Sequence, residues 1–232
     1  MVRAMSLPRP VAAVVFDMDG VLFDTEALYE QAMLAAGREI GIDITADFFR
    51  STIGTPWPVV REHMLERFGP DFAIDAFVDA ERRLFGELSH NRSLLKAGVV
   101  ELLDQLDALG LPCAVATSSS RATVDRHLLS HQLVDRFRCI VAHGDYERHK
   151  PHPEPYLKAA ERLGVAPQAC LALEDSHHGV RSASAAGMMT VMVPDLLPAT
   201  DEIGALCLHV VPDLHAVARL ISGSASASPA GG

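Results

Sequence analysis

Positively charged residues are scarce in this sequence. Its 232 residues include 20 lysines and arginines against 30 aspartates and glutamates, which gives a formal net charge of −10. Nucleic acids and anionic membranes are bound by basic surfaces, so this balance argues against either as a partner. Hydrophobic residues make up 49% of the chain, as in an ordinary soluble protein, and its length allows a full core with a smaller accessory domain.

Long apolar runs are also missing. The longest hydrophobic stretches are much shorter than the roughly 20 residues that a membrane-spanning helix needs. Residues 1–10 contain no apolar segment leading to a cleavage site, so we expect no signal peptide and a cytoplasmic protein, with Met5 as an alternative start. The segment 223–232 is low in complexity, and we expect it to be disordered.

Cysteine is rare, and no two cysteines form a C-x-x-C pair. Three of the four fall within predicted strands. We therefore interpret them as free thiols in a reducing cytoplasm rather than as disulfides or metal ligands. They are Cys113, Cys139, Cys170 and Cys207.

What the sequence does contain is an apolar run that ends in two acids. Residues 11–18 are predicted to form a strand buried on both faces, and Gly20 allows a sharp turn after it. Residues two apart in an extended chain project to one side, so Asp17 and Asp19 aim at the same point. This pair favours a divalent cation site or a nucleophile beside an acid/base, although alone it also suits a solvated turn.

The rest of the chain divides into a helical segment and a strand–helix alternation. Residues 26 to about 89 show only helical periodicity, and from Gly98 onward predicted strands and helices alternate. This pattern predicts an α/β fold, a doubly wound parallel sheet with an inserted all-helical cap above the tip of the first strand. We expect a catalytic core of residues 1–25 and 93–222 and a cap of residues 26–92. Strands are predicted at 112–117, 139–142, 169–173, 190–193 and 209–211, with helices at 99–109, 122–129, 153–163, 179–186 and 214–221.

Three more strand ends or adjoining loops carry residues suited to phosphate chemistry. Thr117 and Ser118 end the second strand, Lys150 follows the third, and Glu174 and Asp175 follow the fourth. Each is compatible alone with a helix cap or a solvated loop. Because all lie at the same edge of the predicted sheet, together they predict a Mg²⁺ site beside a phosphate site.

In order and type, these four motifs resemble the haloacid dehalogenase superfamily, in its phosphatase and phosphomutase branch with a helical cap. The resemblance covers residues 11–221. It implies that Asp17 is the nucleophile that becomes an aspartyl-phosphate and that Asp19 is the general acid/base. It also implies that Thr117 and the amide of Ser118 bind phosphate.

The resemblance further implies that Lys150 steadies the phosphate and the nucleophile. Asp175, assisted by Glu174, would anchor Mg²⁺ together with Asp17 and the backbone carbonyl of Asp19. One departure is His149, which replaces the usual glycine before the lysine.

These expectations define a Mg²⁺-dependent phosphatase of a small phosphorylated metabolite, such as a sugar phosphate, acting as a monomer or weak homodimer. A sugar-phosphate mutase is the alternative, although mutases of this group carry a histidine where Tyr29 stands. A dehalogenase would need only the nucleophile. A phosphoryl-receiver signalling domain is a remoter alternative, because its phosphorylated aspartate ends the third strand and it has no helical insertion.

Substrate contacts are expected from the cap and from the helix after Thr117. The candidates are Tyr29, Arg50, Trp57 and Arg121. Five histidines flank the predicted site, and their scatter over several loops argues against zinc. We expect them to tune the pH response or to contact substrate. They are His143, His149, His152, His177 and His178.

Overall fold

A six-stranded parallel sheet forms the centre of the computed structural model, which describes residues 6–90 and 92–225. The strands are β1 (Ala13–Phe16), β2 (Cys113–Ser120), β3 (Cys139–His143), β4 (Cys170–Glu174), β5 (Met189–Met192) and β6 (His209–Val210). Their order is β3-β2-β1-β4-β5-β6, and every neighbouring pair is parallel. The predicted doubly wound α/β fold is therefore confirmed, with β1 between β2 and β4.

Helices cover both faces of this sheet and form a separate group after β1. They are α1 (Glu26–Glu39), α2 (Ala46–Thr52), α3 (Trp57–Phe68), α4 (Ile74–Ser89), α5 (Val99–Ala108), α6 (Arg121–Ser130), α7 (Glu154–Leu163), α8 (His177–Ala185), α9 (Asp201–Leu206) and α10 (Leu214–Ala225). Among the residues that the structure describes, no helix is both long and apolar enough to cross a membrane.

The central strand β1 is short and completely buried. Val14 and Phe16 pack into the apolar cluster on one face of the sheet, and Ala13 and Val15 pack into the cluster on the other face. This division follows from the two-residue period of an extended chain. Beyond the strand, the Asp17 amide still donates to the Leu173 carbonyl at 2.9 Å, so the first acid is held at the sheet edge.

Three elements differ from the sequence predictions. Strand β2, predicted to end at residue 117, continues to Ser120, so Ser118 and the two serines after it belong to the strand. Helix α9 was not predicted, although Thr200 caps it by accepting from the Ile203 amide at 3.3 Å. Helix α10 runs through Ala225, so the first three residues of the segment expected to be disordered are helical. Residues 226–232 of that segment lie outside the described residues.

Helices α1 to α4 form the inserted cap around an apolar cluster of their own. Met33, Phe49, Met64 and Phe77 are buried in this cluster, and α1 packs along α4. Residues three and four apart share a helix face, so each helix presents its apolar side chains on one side.

Two linkers that run side by side join the cap to the sheet. The Asp24 amide donates to the Leu94 carbonyl at 2.7 Å, and the Lys96 amide donates to the Leu22 carbonyl at 3.0 Å. These two bonds join the entering and leaving linkers of the cap next to the end of β1.

A second contact lies between the α2–α3 loop and the strand ends. Ser118 Oγ donates to the Gly54 carbonyl at 2.9 Å. Gly54 has φ = +79°, and a Cβ there would lie 2.7 Å from Ser176 Oγ. Glycine suits both the left-handed backbone and this close approach. The cap loop thus rests on the ends of β2 and β4.

The cap cluster predicts a large effect of one truncation. Phe77 is fully buried, so Phe77→Ala should lower the free energy of unfolding by about 3–5 kcal/mol, through lost burial and a cavity. Urea unfolding followed by circular dichroism measures this. Leu129→Ala, at a side chain that is 71% exposed, is the control and should change it by less than about 0.5 kcal/mol. Equal effects of the two changes would contradict the assigned core.

Candidate active site

A cavity of about 410 Å³, which contains most of the predicted site residues and is named the main cavity for that reason, lies above the C-terminal ends of β1, β2 and β4. Its floor contains five residues predicted from the sequence, Asp17, Asp19, Thr117, Ser118 and Asp175. Residues of α1 to α4 and of the α2–α3 loop also line it. Parallel strands place their carboxyl ends at one edge, which explains why residues far apart in the chain line one cavity.

Lys150 is the buried cation next to this floor. Its Nζ lies 2.5 Å from Asp17 Oδ1 and 2.5 Å from Glu174 Oε1, and it donates to the Ala116 carbonyl at 3.0 Å. The residue is only 2% exposed. Burial would lower the pKa of Lys150, but Asp17 and Glu174 raise it well above its ordinary value. The ammonium group therefore stays charged and faces Asp17.

Asp17 lies in an environment that disfavours its negative charge. Burial raises the pKa of this carboxyl to about 8, with Glu174 and Asp19 adding to the shift and Lys150 opposing it. One lysine is thus insufficient to balance the acids around it, and further positive charge would stabilise the ionised form.

Two hydroxyl groups hold the side chain of Asp19. Thr25 Oγ1 donates to Asp19 Oδ1 at 2.6 Å, and Ser119 Oγ donates to Asp19 Oδ2 at 2.7 Å. Thr25 directly precedes α1, and Ser119 belongs to β2. The sequence analysis missed both, since neither hydroxyl is distinguished from an ordinary cap or strand residue without the fold.

Thr117 and Ser118 lie beside these acids. Thr117 is 1% exposed; its Oγ1 accepts from the Ser119 amide at 3.1 Å, and its carbonyl accepts from Tyr146 Oη at 3.1 Å. The hydroxyl of Ser118 is bound to the cap loop. The strand end is consequently fixed on both sides, with Thr117 and Ser118 lining the cavity.

Glu174 does not fit the metal role expected of it. Its Oε1 receives hydrogen bonds from Lys150 and from Tyr156 Oη (2.7 Å). Its Oε2 accepts from the Asp175 and Ser176 amides, each at 3.1 Å, and from Ser176 Oγ at 3.0 Å. Both oxygens are occupied and the side chain is fully buried outside the cavity lining. The Glu174 carboxylate therefore orients Lys150 and the turn that follows β4.

Asp175, by contrast, is positioned to bind a cation. Its carboxylate packs directly against Gly20, where φ is +77° and a Cβ would overlap the carboxylate oxygen. Burial, followed by the charges of Glu174 and Glu26, raises the pKa of Asp175 well above its ordinary value. A divalent cation would relieve this repulsion.

The donor set suits magnesium better than a cation that needs a complete protein cage. Within residues 6–90 and 92–225, no three His, Cys, Asp or Glu side chains form a preassembled metal site. Mg²⁺ usually binds through one or two carboxylates and keeps water or phosphate oxygens as its other ligands. Asp17 and Asp175, with the carbonyl of Asp19, could supply oxygen ligands of this kind.

The four candidate substrate contacts divide into two pairs. Tyr29 and Trp57 line the cavity, as expected. Arg50 and Arg121 do not: Arg50 lies 3.6 Å from Glu30, and Arg121 bonds Asp125 at 3.0 Å. Each arginine instead pairs with a carboxylate outside the cavity lining, and the sequence alone does not show which side of a docked helix faces the cavity.

The histidines are distributed over two cavities and the surface. His143 lines the main cavity. His149, His152 and His178 line a second cavity of about 530 Å³, which Lys150 also lines. His177 contacts the Pro198 carbonyl at 2.9 Å through Nε2.

Sequence reasoning missed a buried acid at the start of α1. Glu26 is 8% exposed and lines the main cavity. Burial, and then the charges of Asp19 and Asp17, raise its pKa well above the ordinary value. An acid in the first turn of a helix is commonplace, so no local signal marked it. Glu81, Arg82 and Arg126 also line the cavity and were missed, because no local signal distinguishes a charged residue inside a helix from one that faces solvent.

Comparison with known proteins agrees with this geometry. Residues 14–193 match the model of the haloacid dehalogenase-like hydrolase family. The protein CbbY from Rhodobacter capsulatus is 34% identical over 216 residues, covering 89% of this chain and 95% of CbbY. Hexitol phosphatase B from Escherichia coli is 32% identical over 194 residues, covering 82% and 86%.

A solved structure shows the same fold. β-Phosphoglucomutase from Clostridium difficile superimposes with a TM-score of 0.75 at 24% identity, covering 92% of this chain and 98% of the mutase. The resemblance inferred from the four motifs is thereby confirmed. The chain belongs to the haloacid dehalogenase-like hydrolase family, within the branch of phosphatases and phosphomutases that carry a helical cap.

Proposed function

We propose that this phosphatase hydrolyses a small phosphorylated sugar or polyol through an aspartyl-phosphate on Asp17, with Mg²⁺ as cofactor. The observation that carries the proposal is the arrangement of two adjacent acids with different partners. Asp17 contacts a buried ammonium group, and Asp19 accepts from two hydroxyls. This difference suits a nucleophile and an acid/base.

In the first half-reaction, a carboxylate oxygen of Asp17 attacks phosphorus. A new P–O bond forms while the P–O bond to the sugar oxygen breaks, and Asp19 gives its proton to the leaving alkoxide. Lys150 balances negative charge on Asp17 and on the approaching phosphate. The Thr117 hydroxyl and the Ser118 amide would donate to phosphate oxygens.

In the second half-reaction, the oxygen of a water molecule attacks the phosphoryl group, and Asp19 accepts a proton from that water. The bond to Asp17 breaks, inorganic phosphate leaves, and both carboxyl groups return to their starting states. Thr25 and Ser119 keep Asp19 in one orientation for both transfers. Glu174 acts through Lys150, which it positions.

Mg²⁺ would be held by Asp17, Asp175 and the backbone carbonyl of Asp19, and when bound it supplies positive charge to the phosphate and the carboxylates. The cap of residues 26–92 would act as a lid that excludes water during phosphoryl transfer. Support comes from the paired linkers at Leu22–Lys96 and from the contact of Ser118 with Gly54.

Tyr29 favours the phosphatase over the mutase. A mutase must shield its aspartyl-phosphate from water while a sugar intermediate reorients, and a cap histidine helps to control that proton transfer. Burial raises the pKa of the Tyr29 phenol above its ordinary value, with the charge of Asp19 adding to the shift. A phenol that stays protonated is a poor proton shuttle at neutral pH.

The relatives are consistent with a sugar or polyol substrate. One of them is named as a hexitol phosphatase, and the solved structure at the same fold is a phosphoglucomutase. The cavity volume of about 410 Å³ falls in the range of small-molecule sites.

The first prediction concerns the metal. Because Asp17, Asp19 and Asp175 concentrate negative charge in one cavity, hydrolysis of 4-nitrophenyl phosphate should disappear with excess chelator and return with added Mg²⁺. Release of 4-nitrophenol measures it. Full activity in chelator would exclude the metal assignment.

The second prediction separates the two acids. Asp17→Asn should reduce turnover by about four orders of magnitude or more, since the amide cannot form the acyl-phosphate. Asp19→Asn should reduce it by about 10²–10⁴-fold and let phosphoprotein accumulate with 4-nitrophenyl phosphate. Steady-state kinetics and mass spectrometry of quenched protein measure both. Asp125→Asn, outside the cavity, is the matched control; near-normal turnover of Asp17→Asn would place the nucleophile elsewhere.

The third prediction separates hydrolysis from isomerisation. With a hexose 1-phosphate, phosphorus NMR should show release of inorganic phosphate and no requirement for a bisphosphate primer. The physical reason is that the Tyr29 phenol is a poor proton shuttle. A second sugar hydroxyl is therefore not activated to accept the phosphoryl group from Asp17, and water reacts with it instead. Conversion into the 6-phosphate without phosphate release would establish the mutase instead.

A further inference from the structure

Two histidines at the end of α6 lie against the linkers that join the cap to the core. His127 is in the last turn of α6, and His131 is the residue at which the helix ends. Residues four apart lie on one side of a helix, so the two rings are neighbours. Neither ring takes part in the reaction proposed for the cavity floor.

Phe23, in the entering linker, contacts both rings. Its ring centroid lies 5.1 Å from that of His127 and 5.0 Å from that of His131. Phe85 of α4 meets the His127 ring edge to face, with a centroid distance of 6.4 Å and an interplanar angle of 90°. The histidine pair therefore touches both the entering linker and the cap itself.

The leaving linker is held by a hydrogen bond to His131. The Leu94 amide donates to His131 Nε2 at 3.3 Å, and His131 Nδ1 lies 2.9 Å from the His127 carbonyl. A carbonyl can only accept, so this network assigns the proton to Nδ1 and leaves Nε2 as the acceptor. The Leu94 carbonyl in turn accepts from the Asp24 amide of the entering linker. One neutral imidazole thus connects both linkers to α6.

Protonation of His131 is incompatible with this arrangement. An imidazolium carries N–H groups at both nitrogens, so it offers no acceptor to the Leu94 amide. Two donors would then face each other at 3.3 Å, and the linker amide must move away. Histidine is the side chain that ordinarily changes its charge between about pH 5 and pH 8.

His127 adds to the same pH dependence. It is 4% exposed, and its Nε2 has no hydrogen-bond partner among the residues that the structure describes. Burial lowers the pKa of His127 below its ordinary value of 6.5; the charge of Asp19 opposes this shift, and Arg126 and His131 add to it. A histidine with a lowered native pKa disfavours its own protonation, so the packed arrangement loses stability as the pH falls below about 6.5.

We propose that His127 and His131 form a pH-sensitive latch on the cap. While both rings are neutral, they hold the two linkers against α6; protonation releases the linkers and frees the cap to move. The contacts that reach the pair from other elements, Phe23, Phe85 and Leu94, carry no charge that would stabilise an imidazolium. The latch acts on the attachment of the cap and goes beyond the proposed reaction, whose residues it does not include.

Amide hydrogen exchange followed by NMR tests the latch in the intact chain. The protection factor of the Leu94 amide, which corrects for the intrinsic pH dependence of exchange, should fall about tenfold or more between about pH 7.5 and about pH 5.5. The Val14 amide, which donates to the Pro112 carbonyl at 3.0 Å inside the sheet, is the internal control and should stay protected. The His131 ring and the Leu94 amide should also titrate with one midpoint.

Two substitutions remove the titrating rings one at a time. In His131→Gln, the side-chain carbonyl can accept from the Leu94 amide at either pH, so the protection factor of Leu94 should change by less than about threefold. His127→Phe keeps a buried ring that cannot be protonated and should make the fall smaller. The matched control is His209→Gln on β6, where a ring nitrogen contacts the Ser6 carbonyl at 3.0 Å; it should show the full fall.

Two results would overturn the latch. One is a Leu94 protection factor that stays constant between the two pH values in the unaltered protein. The other is a fall of the same size in folded His131→Gln. If that variant does not fold, separate midpoints for His131 and Leu94 in the unaltered protein would overturn the latch equally, and an unchanged fall in His127→Phe would remove His127 from it. All of these measurements are made without substrate, so they are independent of the proposed phosphatase reaction.

Discussion

The ion pair between Lys150 and Asp17 is the interaction on which the site depends. Removing a lysine from water is costly unless acids surround it, and here Asp17 and Glu174 both lie 2.5 Å from its Nζ. Glu174 is itself fixed by Tyr156 and by the Ser176 and Asp175 amides. The ends of β1 and β4 and the loop after β3 are thereby joined through one ammonium group, and the position of Asp17 follows from all three.

The cap extends the same constraint to the opposite side of the cavity. Thr25, at the start of α1, holds Asp19, and Gly54 of the α2–α3 loop accepts from Ser118. The start of the cap therefore adjoins Asp19, the proposed acid/base, and the cap loop contacts the strand end proposed to bind phosphate. A movement of the cap would change the surroundings of Asp19 and Ser118, which agrees with the proposed reaction, whose second half alone requires water.

Charge gives the cavity its chemical character. Its carboxyl groups outnumber the cations that line it, and burial raises the pKa of Asp17 to about 8. On the floor, this deficit of positive charge matches a phosphatase that recruits Mg²⁺.

The sequence by itself determined the sheet, the inserted helices and the residues of the floor, because apolar periodicity and acids at strand ends are local patterns. Asp17, Asp19, Thr117 and Asp175 converge because parallel strands end at one edge. Only the tertiary structure decided which groups face the cavity from outside those strands. It turned Glu174 toward Lys150, left Arg50 on the surface and brought Glu26 inside. The rotation of a docked helix and the rotamer of a buried acid depend on packing against distant residues, which no local pattern encodes.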